Sequence, residues 1–160
     1  MEKTLKVIRG IKLAGVIKDY AIGGGIGTMF YTESFYTKDL DIFVYPKLIS
    51  GLVRLDEIHH YLKSKGYRWK GPYVIIEGVP VDFIPVYDEL TQEALKKSVI
   101  RSFGNIKVKV FSPEYLIAIA IKTGREQDLL KVNRIIKETT VNRKLLSSIL
   151  KKHHLKYDLK

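Results

Sequence analysis

The run "TKDLDIFVYP", residues 37 to 46, constrains this chain more than any other stretch. Apolar, β-branched and aromatic side chains follow one another from Leu40 onward, which predicts a buried strand, yet two aspartates stand one residue apart at its mouth. Successive side chains of a strand point to opposite faces, so Asp39 and Asp41 project together while Leu40, Ile42 and Val44 face the other way. Two parallel carboxylates repel. Held close in a partly desolvated place, they call for a raised pKa on one of them or for a compensating cation. A hard divalent cation such as Mg²⁺ meets that need, because it takes oxygen ligands and commonly uses few carboxylates plus substrate phosphates. The plainer reading is a pair of solvated residues at a strand start.

A second acidic residue interrupts an apolar strand at Asp82, in "VPVDFIPV". If that strand lies beside the first, Asp82 completes a cluster of three carboxylates; otherwise it is the one polar residue of an edge strand. Upstream, "IGGGIGT" places a glycine-rich turn between a short strand, "YAI", and a segment, "IGTMFYTES", that can begin a helix. Such a turn lets backbone N–H groups approach a phosphate closely. It matches neither the phosphate-binding loop that ends in Gly-Lys-Ser/Thr nor the dinucleotide fingerprint.

The remaining chain sorts into elements by the same rules. Leu5, Ile8, Ile11 and Leu13 mark a helix over residues 2 to 13, and a second helix is expected over about 52 to 65 before Gly66. "YVIIEG" and "VPVDFIPVY" read as a hairpin-like pair around Gly78 and Pro80, and "IKVKVF" alternates as a half-exposed strand does. Ser112-Pro113 opens a helix, and "REQDLLKVNRIIKE" and "NRKLLSSILKKHH" supply two more. The expected class is α+β: a small mixed sheet flanked by helices in residues 1–111, and a helical segment in 112–160 packed on that core.

The chain has 160 residues, no cysteine and a formal charge of +11. Disulfides, thiolate metal sites and cysteine nucleophiles are therefore excluded, and any metal must be held by oxygen or histidine. The charge favours polyanions such as nucleic acid or nucleotide phosphates, or simply gives a solubilising surface. No apolar run is long enough for a membrane span and no signal-like N-terminus is present, so the expected setting is the cytoplasm, away from membranes.

Strand, Gly-Gly, helix, then Asp-hydrophobic-Asp on a strand and a lone Asp on a later strand together resemble the DNA polymerase β-type nucleotidyltransferase superfamily. Within it, "GGGIGTMFYTESFYTKDLDIFV" and "SPEYLIAIAIKTGREQDLLKV" are most similar to the AbiEii/MenT-like toxin nucleotidyltransferases. The chain also resembles the compact lincosamide-type antibiotic nucleotidyltransferases in size and in its glycine and Asp-x-Asp pattern. The resemblance implies a polymerase β-like fold and transfer of a nucleoside monophosphate from a nucleoside triphosphate to a hydroxyl acceptor. It implies that Asp39, Asp41 and Asp82 are catalytic and hold two Mg²⁺ ions, with Mn²⁺ as the substitute, Asp82 being the general base. It places Gly23, Gly24, Gly25, Thr28, Lys38 and Lys122 on the nucleotide, with Asp128 beside them as an accessory acid. The acceptor it implies is tRNA or another macromolecule, with antibiotic modification, or a non-catalytic basic nucleic-acid-binding module, as the rival readings.

Several residues keep a plainer reading beside that one. Lys122 can serve only the C-terminal dipole of its helix, and Arg125 with Asp128 can be a surface ion pair. The doublets His59-His60 and His153-His154 diverge by about 100° on a helix, which suits surface histidines rather than metal clamps. Trp69, Tyr67 and Tyr73 are either a base-stacking platform or half-buried strand aromatics. The C-terminal helix, with an apolar stripe left exposed, would suit a homodimer or a protein partner such as an antitoxin.

Overall fold

The computed structural model describes residues 1–33, 37–45, 48–49, 52–53 and 55–157. Ser34, Phe35 and Tyr36, in the middle of the family-like segment, lie outside the described residues, as do the last three residues of the tail.

A first helix, α1 (Glu2–Leu13), leads into strand β1 (Asp19–Ile22), the short helix α2 (Gly24–Met29) and strand β2 (Leu40–Tyr45). A two-stranded ribbon, β3 (Leu48–Ile49) and β4 (Leu52–Val53), precedes α3 (Asp56–Ser64), so the expected helix over 52–65 begins only at Asp56. Strands β5 (Arg68–Lys70), β6 (Tyr73–Ile76) and β7 (Val79–Pro85) follow, then α4 (Glu89–Lys96), β8 (Val99–Phe103) and β9 (Ile106–Val110). Three helices close the chain: α5 (Pro113–Thr123), α6 (Glu126–Glu138) and α7 (Arg143–Lys152). The fold is α+β, and no described helix is long and apolar enough to cross a membrane.

Seven strands form one mixed sheet in the order β5-β6-β7-β2-β1-β9-β8. Strand β2 sits in the middle, antiparallel to β1 and parallel to β7. The β6–β7 hairpin turns on Glu77 and Gly78, both at positive φ (52° and 80°), which is what a two-residue hairpin loop of the favoured twist demands.

The alternation along β2 sorts the two faces of the sheet. Leu40, Ile42 and Val44 are buried in a core with Leu5, Ile8 and Ile11 of α1 and Ile58 and Leu62 of α3. Phe43 points the other way, into a second core built from α4, α5, α6 and α7. Asp39 and Asp41 share the face of Phe43. That second face is therefore where the helical segment must leave room for the carboxylates.

Ser112 occupies the N-cap of α5 as expected, but its hydroxyl donates to Glu114 Oε2 (2.8 Å) rather than capping a backbone N–H. Glu114, itself buried, accepts the Asn142 N–H (2.8 Å) and so ties the start of α5 to the start of α7. The apolar stripe of α7 is not left exposed: Leu146, Ile149 and Leu150 are buried in the second core.

Candidate active site

Parallel pairing of β2 with β7 sets Leu40 beside Val81, Asp41 beside Asp82 and Ile42 beside Phe83. Neighbours in register share a face, so Asp82 stands next to Asp41, with Asp39 two residues up the strand. The strand carrying Asp82 is interior, between β6 and β2, and not an edge. Burial and then the Asp39 charge push the Asp41 carboxyl up to about 6, with Asp82 adding to the rise; the Lys131 ammonium and the Gly25 N–H oppose it. Burial and Asp39 raise Asp82 as well. The Tyr73 phenol, on β6, is hydrogen-bonded to Asp39 and raised by it.

The glycines earn their place through Asp41. Gly23 donates its N–H to the Asp41 carbonyl (3.1 Å), and the Gly25 N–H hydrogen-bonds the Asp41 side chain. Gly24 lies between them at φ +53°, where a Cβ would fall 1.6 Å from Asp41 Oδ2. No other residue fits there, because both the backbone angle and the carboxylate forbid a side chain. Thr28, one turn on, is buried, and its hydroxyl donates to the Gly24 carbonyl (2.9 Å), closing the turn rather than reaching into open space.

Helix α6 supplies a cationic wall. Arg125 Nε and Lys131 Nζ both bind Asp128, at 2.6 and 2.8 Å. The expected Arg125–Asp128 pair exists, but it is not a surface pair on the Asp128 side: that residue is 4% exposed, and hydrogen bonds from both cations outweigh burial to hold its carboxyl below the usual range. Lys131 was not evident from a pairwise reading; the signal was its spacing, since 125, 128 and 131 share one helix face. Lys122, in the last turn of α5, pairs with Asp88 (2.9 Å), the N-cap of α4.

Two cavities meet at Asp41. One, of about 390 Å³, runs between the sheet and α5 and includes Gly24, Thr28, Lys122 and Asp128, with apolar walls from Ile84, Pro85 and Ile119. The other, of about 670 Å³, is more polar and includes Gly25, Lys38, Asp39, Tyr73, Asp82 and Arg134. Asp41, Ile84, Arg125 and Lys131 line both. Of the sequence-predicted residues, Gly23 alone lines neither; it acts through the Asp41 carbonyl.

The aromatic alternatives divide, with Trp69 half-buried on β5 and Tyr67 half-buried just before it, and one histidine expectation is corrected. Trp69 stacks on His59 (centroids 4.1 Å apart) and Tyr67 donates to Glu77 (2.9 Å), so Tyr73 is the one member of the aromatic trio that reaches the cavities. His153 is not a surface residue: its side chain is 8% exposed and Nε2 lies 3.0 Å from Glu93 Oε2.

Among the described residues, no group of three or more acidic and histidine side chains is close enough to hold a metal ion by itself. The chemistry nonetheless fits a hard divalent cation: the donors are all carboxylate oxygens, and burial together with like charge keeps Asp41 unusually hard to ionise. Magnesium seldom uses a closed protein cage and takes its remaining ligands from water and substrate phosphates.

The family model described as "Nucleotidyl transferase of unknown function (DUF2204)" matches residues 1–158. No curated protein sequence is a significant match. Among solved structures, an antigenic nucleotidyltransferase-like protein from Paracoccidioides brasiliensis superposes with a TM-score of 0.60 at 16% identity, over 94% of this chain and 84% of that one. The solution structure of the antibiotic-resistance factor ANT(2″)-Ia gives 0.58 at 12% identity, over 93% and 89%. The crystal structure of ANT(2″)-Ia with adenylyl-2″-tobramycin also gives 0.58 at 12% identity, over 93% and 95%. At such identities these likenesses speak to the fold.

Proposed function

Because the chain belongs to this nucleotidyl transferase family, we propose that its site moves a nucleoside monophosphate from a nucleoside triphosphate to a hydroxyl of tRNA or another macromolecule, as a toxin-like enzyme of the cytoplasm. The observation that carries this reading is the register of Asp41 against Asp82, with Asp39 in the same cavity.

The nucleotide takes the cavity that holds Gly24, Thr28, Lys122 and Asp128, where apolar walls suit a nucleoside. The acceptor takes the other, because Asp82, the candidate base, lines only that one, and this puts Gly25 and Lys38, expected on the nucleotide, on the acceptor side. The acceptor oxygen attacks the α-phosphorus and its proton passes to Asp82. A new P–O bond forms, the α–β bridging P–O bond breaks, and pyrophosphate leaves with the bonding pair. Two Mg²⁺ ions, or Mn²⁺, held by Asp39, Asp41 and Asp82 would stabilise the leaving oxygen and make the attacking hydroxyl more acidic. Residues 1–111 thus contribute the carboxylates and residues 112–160 the cationic wall.

A macromolecular acceptor is favoured over an aminoglycoside because Lys38, Arg125, Lys131 and Arg134 all line the acceptor cavity, and a polycationic drug would meet them. The structural likeness to ANT(2″)-Ia keeps antibiotic transfer as the second reading. An antitoxin or a second copy of the chain would be the regulatory partner of a toxin-like enzyme, docking elsewhere than on the apolar stripe of α7, which is buried.

The test is transfer of α-labelled ATP, CTP, GTP and UTP, with Mg²⁺ or Mn²⁺, onto total cellular RNA and onto an aminoglycoside. Label in RNA that disappears in the Asp39→Asn/Asp41→Asn double variant is the expected result. Label on the aminoglycoside alone would replace this reading with the antibiotic one.

A further inference from the structure

The α-phosphate is the one group of a nucleotidyl donor that must be reached from both sides, by its own nucleoside and by the attacking oxygen. If the nucleotide and the acceptor occupy the two cavities assigned above, the α-phosphate lies where those cavities meet. Among the described residues, the side chains lining both are Asp41, Ile84, Arg125 and Lys131. Two are cations, and both are bound to the same buried carboxylate.

We propose that Arg125 and Lys131 grip the α-phosphate at this boundary, and that Asp128 is the positioning residue that holds the two in place. The proposal rests on the nucleotidyl-transfer reading above. An exposed arginine alone would sample many rotamers: the Arg125 side chain is 74% exposed. Asp128 takes its inner nitrogen, Nε, and fixes the stem, while the outer fork is the part whose geometry matches two phosphate oxygens. Lys131, 22% exposed, is a point charge on the opposite side of the same carboxylate. Asp128 lies only 4% exposed beneath both, and neither cation's field is wasted on it alone: the Arg125 guanidinium also feels Asp41 and Asp39, and Lys131 feels Asp41. Charge at that boundary is worth most where an α-phosphoryl group gains negative charge during displacement.

The assignment differs from the plain surface-pair reading in what it requires of Asp128. A solvated pair would do nothing for a ligand. A positioning residue should matter only as long as the cations it positions are present.

The experiment is calorimetric titration of the full chain, with Mg²⁺, by the four non-hydrolysable nucleoside 5′-(α,β-methylene)triphosphates, alongside thermal melts of each variant. Arg125→Ala and Lys131→Ala should each weaken binding of the preferred analogue about tenfold or more. Lys137→Ala, which removes the same charge from an exposed position of α6 away from both cavities, should not. Asp128→Asn should weaken binding in the wild-type background and add nothing in the Arg125→Ala/Lys131→Ala background, which a merely structural role would not reproduce. Wild-type binding that survives both alanine variants unchanged would overturn the proposal while leaving the transferase reading intact. Wild-type protein that binds none of the analogues would defeat that reading and this proposal with it. Should Asp128→Asn fail to fold, the variants at Arg125 and Lys131, whose side chains reach solvent, still decide.

Discussion

Asp41 and Glu93 are both partly buried acids on the same side of the sheet, and their surroundings treat charge in opposite ways. Glu93, on α4, accepts from Lys152 (3.0 Å), lies 3.0 Å from His153 Nε2 and pairs with Lys97 one turn on (3.4 Å). Burial pushes its carboxyl up, but hydrogen bonds from Lys152 and then His153 pull it down to about 2. Asp41 is buried beside two acids, with the Lys131 and Arg125 cations at a distance, and burial first and then the acids raise its carboxyl to about 6. One carboxylate joins α4 to α7; the other is held against its own preference. A chain with 28 basic residues had cations to spare for Asp41, yet the fold directs Lys131 first to Asp128. That difference separates a charge that serves stability from one whose setting fits the chemistry proposed for it.

The contrast can be broken most forcefully at Asp41. Asp41→Asn should abolish nucleotidyl transfer. Measured without divalent cations, it should also raise the melting temperature by several degrees, since relieving a carboxylate shifted this far is worth on the order of 1–3 kcal/mol. A variant that is inactive but less stable than wild type would mean that the Gly25–Asp41 hydrogen bond, not burial and repulsion of the charge, governs this residue. Adding Mg²⁺ should raise the melting temperature of the wild type and leave that of Asp41→Asn nearly unmoved.

Glu93→Gln should do the reverse: transfer within about twofold of wild type, and a melting temperature lower by roughly 2–4 °C for each kcal/mol lost. Loss of transfer with an unchanged melting temperature would reverse the roles assigned to the two acids.

The smallest effect is in pH. The folded pKa of Glu93 lies below its unfolded value near 4.5, so its stabilisation is complete above about pH 4.5 and is lost as pH falls towards 2. Acid unfolding followed by circular dichroism should be shallower in Glu93→Gln over that window. An unchanged acid limb would show that Lys152 and His153 do not hold Glu93 in solution.

The sequence was informative where periodicity and burial agree. The alternation of β2, the hairpin at Gly78, the stripe of α1 and the helices after Pro113 could all be read directly, because each pattern has a single geometric solution. Strand β8 could not: Ile100, Arg101 and Ser102 are exposed on an edge, so burial imposes no alternation there. Strand β5 is three residues on the other edge. Helix α4 did carry a signal, Asp88 capping the Thr91 N–H (3.1 Å), in a short stretch between two stronger patterns. In the site, Asp39 and Asp41 were legible because a strand fixes their direction, whereas the pairing of Asp41 with Asp82 depends on which strands become neighbours, and no local pattern states that. Asp128 was legible as a residue but not as a buried one, since its depth is set by the packing of α6 on α5.

The parallel pairing of β2 with β7 also bears on how the chain avoids a wrong answer. A slip of one residue would turn Asp82 over to the buried apolar face of Leu40, Val74 and Ile76. Stranding a carboxylate there is costly, so the misaligned sheet is penalised before any substrate arrives. The acid that would accept the acceptor's proton thus doubles as a locating pin: the chain can scarcely complete this sheet without also completing its site.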